Sequence, residues 1–206
     1  MSTATFDGDS IGPELSLADL WVPPHVGKRW AAVLGHEGRF ETGAEWIEAM
    51  GEVAEAQLDR APTIENLCYM ADGNHTIDLD GEDGTDAFVC MLDPLVVPFL
   101  TGRPGTVTST TPEDGESVTI EIGEDGVIAP ENAVISLGAT RNPAGGEPSI
   151  ERVYQESCPY IHVFASVEEY ERWADGVDAA TTSVPVDVGV AVARELATEL
   201  FGEAES

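Results

Sequence analysis

Cys90-Met91-Leu92-Asp93-Pro94-Leu95-Val96-Val97-Pro98-Phe99-Leu100-Thr101-Gly102-Arg103 is an apolar, helix-like run lying between stretches that read as strands. A thiol and a carboxylate stand at its start, three residues apart. On a helix that spacing puts both side chains on one face. A thiol at a helix N-terminus feels the positive end of the helix dipole, which is expected to lower its pKa below the free value of ~8.5. Pro94 suits a first turn, whereas Pro98 is expected to kink or unwind the helix further on. A Cys-x-x-Asp pair alone describes a structural cysteine beside a helix-capping aspartate as well as it describes a reactive site.

Outward from this run the periodicity changes. His75-Thr76-Ile77-Asp78-Leu79 alternates like a half-buried strand. Asp80 to Asp86 is an acidic turn without the closing Glu of a calcium loop, so it reads as a solvated connection. Downstream, Gly105 to Thr110 and Val118 to Ile122 form a hairpin around Pro112-Glu113-Asp114-Gly115, and Val127-Ile128 and Ala133 to Leu137 follow as short strands. Ile150 to Gln155 is a short helical or irregular lead-in to Cys158, and Tyr160-Ile161-His162-Val163-Phe164 reads as a strand. Ser166-Val167-Glu168-Glu169 is a capping box opening a helix through Trp173. Pro185 to about Phe201 is an amphipathic helix with Val188, Val192, Leu196 and Leu200 on one face.

Before these elements the chain is helical. Trp30 to Leu34 is a short helix that Gly35 can end, and Thr42 to Glu45 is a second capping box. Trp46, Ile47, Met50, Val53, Ala54 and Leu58 then mark one buried face, and Pro62 closes the helix. Cys68, among bulky apolar neighbours, reads as an inert core thiol. The whole is α+β: a mostly antiparallel sheet flanked by helices, with a helical N-terminal region. It divides into a flexible tail (1–10), the helical region (11–70) and a third region (71–206).

Composition limits the function. There are 39 acidic residues against 9 basic ones, a formal net charge of −30, and Lys28 is the single lysine. Such a surface repels itself in dilute buffer, but molar salt shortens the Debye length to ~3 Å and screens most of that repulsion. A salt-rich cytoplasm is therefore the expected setting. Phosphate contacts need clustered Lys and Arg, so no nucleic-acid partner is expected. No segment has the ~18 consecutive apolar residues of a membrane span, and the N-terminus lacks signal-peptide character, so no membrane association is expected. Three cysteines do not make a secreted disulfide framework.

Two separated segments carry a family resemblance. Cys90-Met91-Leu92-Asp93, followed by Leu95, Pro98, Leu100 and Gly102-Arg103, resembles the first active-site segment of the alkylmercury (organomercurial) lyases. Ser157-Cys158, followed by His162-Val163-Phe164-Ala165-Ser166, resembles their second. The likeness covers roughly residues 85 to 200 and marks 71–206 as an alkylmercury-lyase-like catalytic domain. It departs from the family at Pro159, where members carry the second cysteine of a doublet, and at Thr110 or Thr111, near another family cysteine. The resemblance implies that Cys90, Cys158 and Asp93 are the catalytic residues. The two thiolates would hold the mercury of R–Hg⁺, and Asp93 would be the proton donor that releases R–H. It implies no resident cofactor: Hg²⁺ stays as product, with Asp93 as a further ligand beside the two thiolates, until cytosolic thiols or a mercuric reductase remove it. Phe88, Met91, Leu92 and Tyr160 are candidate pocket walls, and His162 reads as a core or surface histidine. Two alternatives keep the same residues: a non-catalytic Hg²⁺ or Cu⁺ binder, and a Cys90–Cys158 disulfide.

Overall fold

A computed structural model describes residues 8, 11–58, 60–81 and 84–201. Most of the expected tail, with Glu82 and Asp83 of the acidic turn, lies outside the described residues. The run that opened the reading is helix α3, numbered in chain order after α1 (Pro24–Val33) and α2 (Gly43–Leu58), and spanning Leu92–Thr101. Leu92, Pro94, Leu95, Val96, Val97 and Pro98 are all buried, which makes α3 a core helix rather than an amphipathic surface one. Pro98 does not break it: the helix runs on to Thr101. Gly102 then ends it in the left-handed conformation (φ 63°), its N–H donating to the Pro98 carbonyl.

The β-structure forms two antiparallel sheets, the first of which packs against this helix. The first has strand order β2-β1-β3-β4-β5, built from β1 (His75–Leu79), β2 (Asp86–Phe88), β3 (Gly105–Thr110), β4 (Ser117–Gly123) and β5 (Gly126–Ile128). Strands β3 and β4 form the expected hairpin, Val107 opposite Ile120, with alternate residues buried. The second sheet has order β7-β6-β8, from β6 (Val134–Thr140), β7 (Val163–Phe164) and β8 (Ala179–Pro185). Helices α4 (Ile150–Glu156), α5 (Val167–Gly176) and α6 (Val186–Glu199) complete the α+β fold.

Two local readings change. Residues 160–164 are not one strand: Cys158–Tyr160 is a 3₁₀ turn, and only Val163–Phe164 pairs with β6. Proline at the start of that turn favours helical dihedrals and cannot donate to a ladder. Strand β8, unanticipated, pairs with β6 over seven residues, from Val134–Pro185 to Thr140–Ala179.

One core cluster runs from Ile11 to Phe201 and takes in the N-terminal helices, the first sheet, α3 and α6. Trp30 of α1 stacks on Trp46 of α2 at 4.1 Å, and its Nε1 donates to the Gly138 carbonyl of β6 at 3.1 Å. The N-terminal helices are thereby fixed against the sheet that carries the second cysteine segment.

Candidate active site

The two cysteine segments are joined through their backbones. Met91 N–H donates to the Ile161 carbonyl at 3.0 Å, so the start of α3 lies against the 3₁₀ turn holding Cys158. That turn is pinned from behind: Ser136 Oγ of β6 donates to the Tyr160 carbonyl (2.9 Å) and accepts from His162 N–H (2.9 Å). A third segment arrives from outside the two motifs. Met70 N–H donates to the Ala87 carbonyl (2.8 Å) and Val89 N–H to the Cys68 carbonyl (3.2 Å), so residues 68–70 run along the edge of β2. Gly73 permits this approach, because a Cβ there would fall 2.3 Å from the Phe88 carbonyl oxygen. Tyr154 Oη donates to the Asn66 carbonyl and ties the same segment to α4.

Cys90, Asp93 and Cys158 therefore line one cavity of about 110 Å³. Its other walls are mostly apolar, including Trp46 and Met50 of α2, Leu92 of α3, Tyr154 of α4 and Leu196 of α6. Of the four wall residues expected from the sequence, Leu92 lines the cavity, whereas Phe88, Met91 and Tyr160 do not. Cys90 and Cys158 are 3% and 6% exposed, while Cys68 is only partly buried. All three are free thiols in this structure.

The electrostatics follow from desolvation. Burial pushes the Asp93 carboxyl up to about 7, against a bond from Cys68 N–H to Oδ2 (2.9 Å) that favours the ionised form. Cys158 sits between the other two thiols and hydrogen-bonds to both. Those bonds to Cys68 and Cys90, with burial and nearby negative charge, hold its proton well above the ordinary thiol range. Cys68 moves the other way, lowered chiefly by the same Cys158 bond. For Cys90 the bond from Cys158 also lowers, and the N–H groups of Leu92 and Asp93 at the helix start add to it. Burial and the charge of Asp93 nevertheless carry the thiol upward overall. The expected dipole effect is present, but desolvation outweighs it.

His162 is not part of the cavity lining. It belongs to a buried chain behind the turn: Ser109 Oγ to His75 Nδ1 (2.9 Å), His75 Nε2 to His162 Nδ1 (3.1 Å), and His162 Nε2 donating to the Pro159 carbonyl (2.8 Å). Burial, then the adjacent His162, pushes His75 down to about 3, so the imidazole stays neutral. The histidines thus brace the residue that follows Cys158.

Sequence reasoning missed Cys68. Its apolar neighbours gave the pattern of an inert core thiol, and only the pairing of 68–70 with 87–89 brings it beside Asp93 and Cys158. Among the described residues no three His, Cys, Asp or Glu side chains are disposed as a metal cage. The thiols instead form a row, with Cys158 in the middle. Such a row suits a metal that accepts two sulfurs at a time.

Known proteins resemble the chain in sequence and in fold. The family model for MerB, alkylmercury lyase, matches residues 70–200. An alkylmercury lyase from Streptomyces lividans is 31% identical over 122 residues, which are 58% of this chain and 53% of that protein. The match thus spans about half the length of this relative. A crystal structure described as the mercury-bound form of MerB2 shares the fold at TM-score 0.50 and 13% identity, over 77% of this chain and 76% of that one. With a family model covering well over half its residues, and with the helix α3 and Cys158 segments both inside that span, the chain belongs to the alkylmercury lyase family.

Proposed function

We propose that the protein cleaves the carbon–mercury bond of organomercurials, R–Hg⁺, by protonolysis, releasing R–H and retaining Hg²⁺ on Cys90 and Cys158. The observation that carries this reading is the meeting of two buried thiols with a carboxyl whose pKa lies near neutrality, in one largely apolar cavity. Mercury is soft and prefers thiolate to oxygen or nitrogen donors. Cys90 and Cys158 each lose a proton and form a sulfur–mercury bond. One proton passes to the Asp93 carboxylate and from there to the carbon, as the carbon–mercury bond breaks; the other leaves on R′S⁻, the solvent thiolate that carried R–Hg⁺ to the site as R–Hg–SR′. A carboxyl poised near 7 both accepts and returns a proton at neutral pH. The protein needs no resident cofactor, and small cytosolic thiols remove Hg²⁺, with a mercuric reductase as the next recipient. Free thiols suit a reducing cytoplasm, and among the described residues no helix is long and apolar enough to cross a membrane.

The test is incubation with a phenylmercury salt and excess thiol in molar KCl, with benzene measured in the headspace. Benzene above the thiol-only control supports the reading, with Cys90→Ala and Cys158→Ala both inactive. Full turnover by Cys158→Ala would remove the two-thiol mechanism. The row of three thiols also suits a non-catalytic soft-metal carrier, and tight Hg²⁺ binding without benzene from folded protein would favour that reading.

A further inference from the structure

We infer that Cys68 is the loading thiol of the site, taking organomercury from a solvent carrier thiol and passing it inward to Cys158. Its purpose rests on the cleavage reading above, but its position does not. Cys90 and Cys158 are nearly sealed, at 3% and 6% exposure, and an incoming R–Hg–SR′ complex is bulky at the very atom that must be attacked. Cys68 is the partly exposed member of the row, and its thiol interacts with that of Cys158, which interacts in turn with that of Cys90. Cys68 is not itself in the cavity lining, but its backbone N–H is held on Oδ2 of the lining residue Asp93 at 2.9 Å, which fixes it beside that carboxyl. Edge pairing with β2 and the Tyr154–Asn66 bond hold the segment from both sides. Cys68 also precedes the span 70–200 matched by the family model, so it is supplied by this chain's own N-terminal part.

The steps are thiol exchanges and involve no redox change. A bond from the Cys68 sulfur to mercury forms as the Hg–SR′ bond breaks, and the Cys68 proton leaves on R′S⁻. The Cys158 sulfur then replaces Cys68 on mercury, and its proton returns to Cys68. The Cys90 proton is left for Asp93 and finally for carbon. A row suits this hand-over better than a cage, since the metal is passed between neighbouring pairs of sulfurs.

Stopped-flow mixing with the phenylmercury adduct of thionitrobenzoate reads the first exchange directly, as coloured thiolate is released. Release is expected to slow about tenfold or more in Cys68→Ser and Cys68→Ala. Wild-type release rates in both Cys68 variants, with folded circular dichroism spectra, would overturn the inference. If neither variant folds, brief exposure of the wild-type protein followed by acid quench and peptide mass spectrometry decides. The earliest phenylmercury adduct on Cys68 supports the role, and on Cys90 or Cys158 refutes it. Rapid, Cys68-dependent release without benzene would sink the lyase reading and leave the loading role standing.

Discussion

Asp93 is the residue whose environment has the clearest consequence. Its carboxyl titrates at about 7 in the fold against an ordinary value of 3.8, so the folded state holds a proton that the unfolded chain gives up. Stability is therefore lost as pH rises through the window from about 4 to about 7. Asp93→Asn keeps an acceptor for Cys68 N–H and removes this burden. It should be more stable than wild type by ~2 kcal/mol at about pH 8, half of what full desolvation would give, and equal to it near pH 4. Chemical denaturation at the two pH values measures the difference. Cys90, Asp93 and Cys158 were singled out through the likeness of their two short segments to a known family, and the fold brings all three to one cavity. Cys68 was not, since its place depends on pairing with residues twenty positions away, which no local spacing encodes.

At the scale of elements, the site is the meeting of a helix start, a 3₁₀ turn and an edge segment, and the histidine chain braces the turn. His75, ordinarily near 6.5, is held at about 3, so it stays neutral in the fold while the unfolded chain protonates. Stability from this group is complete above about 6.5 and is lost as pH falls toward 3, opposite in sign to Asp93. His75→Gln should remove roughly 3 kcal/mol of acid-induced loss between about pH 6.5 and about pH 4, read as a flatter stability profile than wild type. The helices and the β3–β4 hairpin were readable from period and capping residues. Strand β8 was not: Ala179 to Pro185 lacks regular alternation, and it is defined by its seven-residue pairing with the buried β6. The 160–164 segment misled because Tyr, Ile, Val and Phe all favour strands, whereas Pro159 and the carbonyl bonds of the turn decide its conformation.

At the scale of the whole molecule, the cavity is assembled from distant parts: α2 supplies Trp46 and Met50, α3 Asp93, the residues just before α3 Cys90, and the segment after α4 Cys158. Only the folded chain can bring them together, and folding works against a formal charge of −30. Raising KCl from about 0.1 M to about 2 M should therefore raise the thermal midpoint by about 10 °C or more, measured by circular dichroism, because screening removes self-repulsion. The composition made that legible, while the apolar wall contributed by the N-terminal helices was hidden in residues whose spacing describes any core helix. The proposed role of Asp93 is to turn a pair of mercury-binding thiols into a carbon–mercury lyase. Its most direct measurement is benzene released per bound phenylmercury, at neutral pH in molar KCl, from wild type and from Asp93→Asn. About one benzene per mercury is expected from wild type, and from Asp93→Asn unchanged mercury binding with release at least about 100-fold slower. Equal release from the two proteins would contradict it.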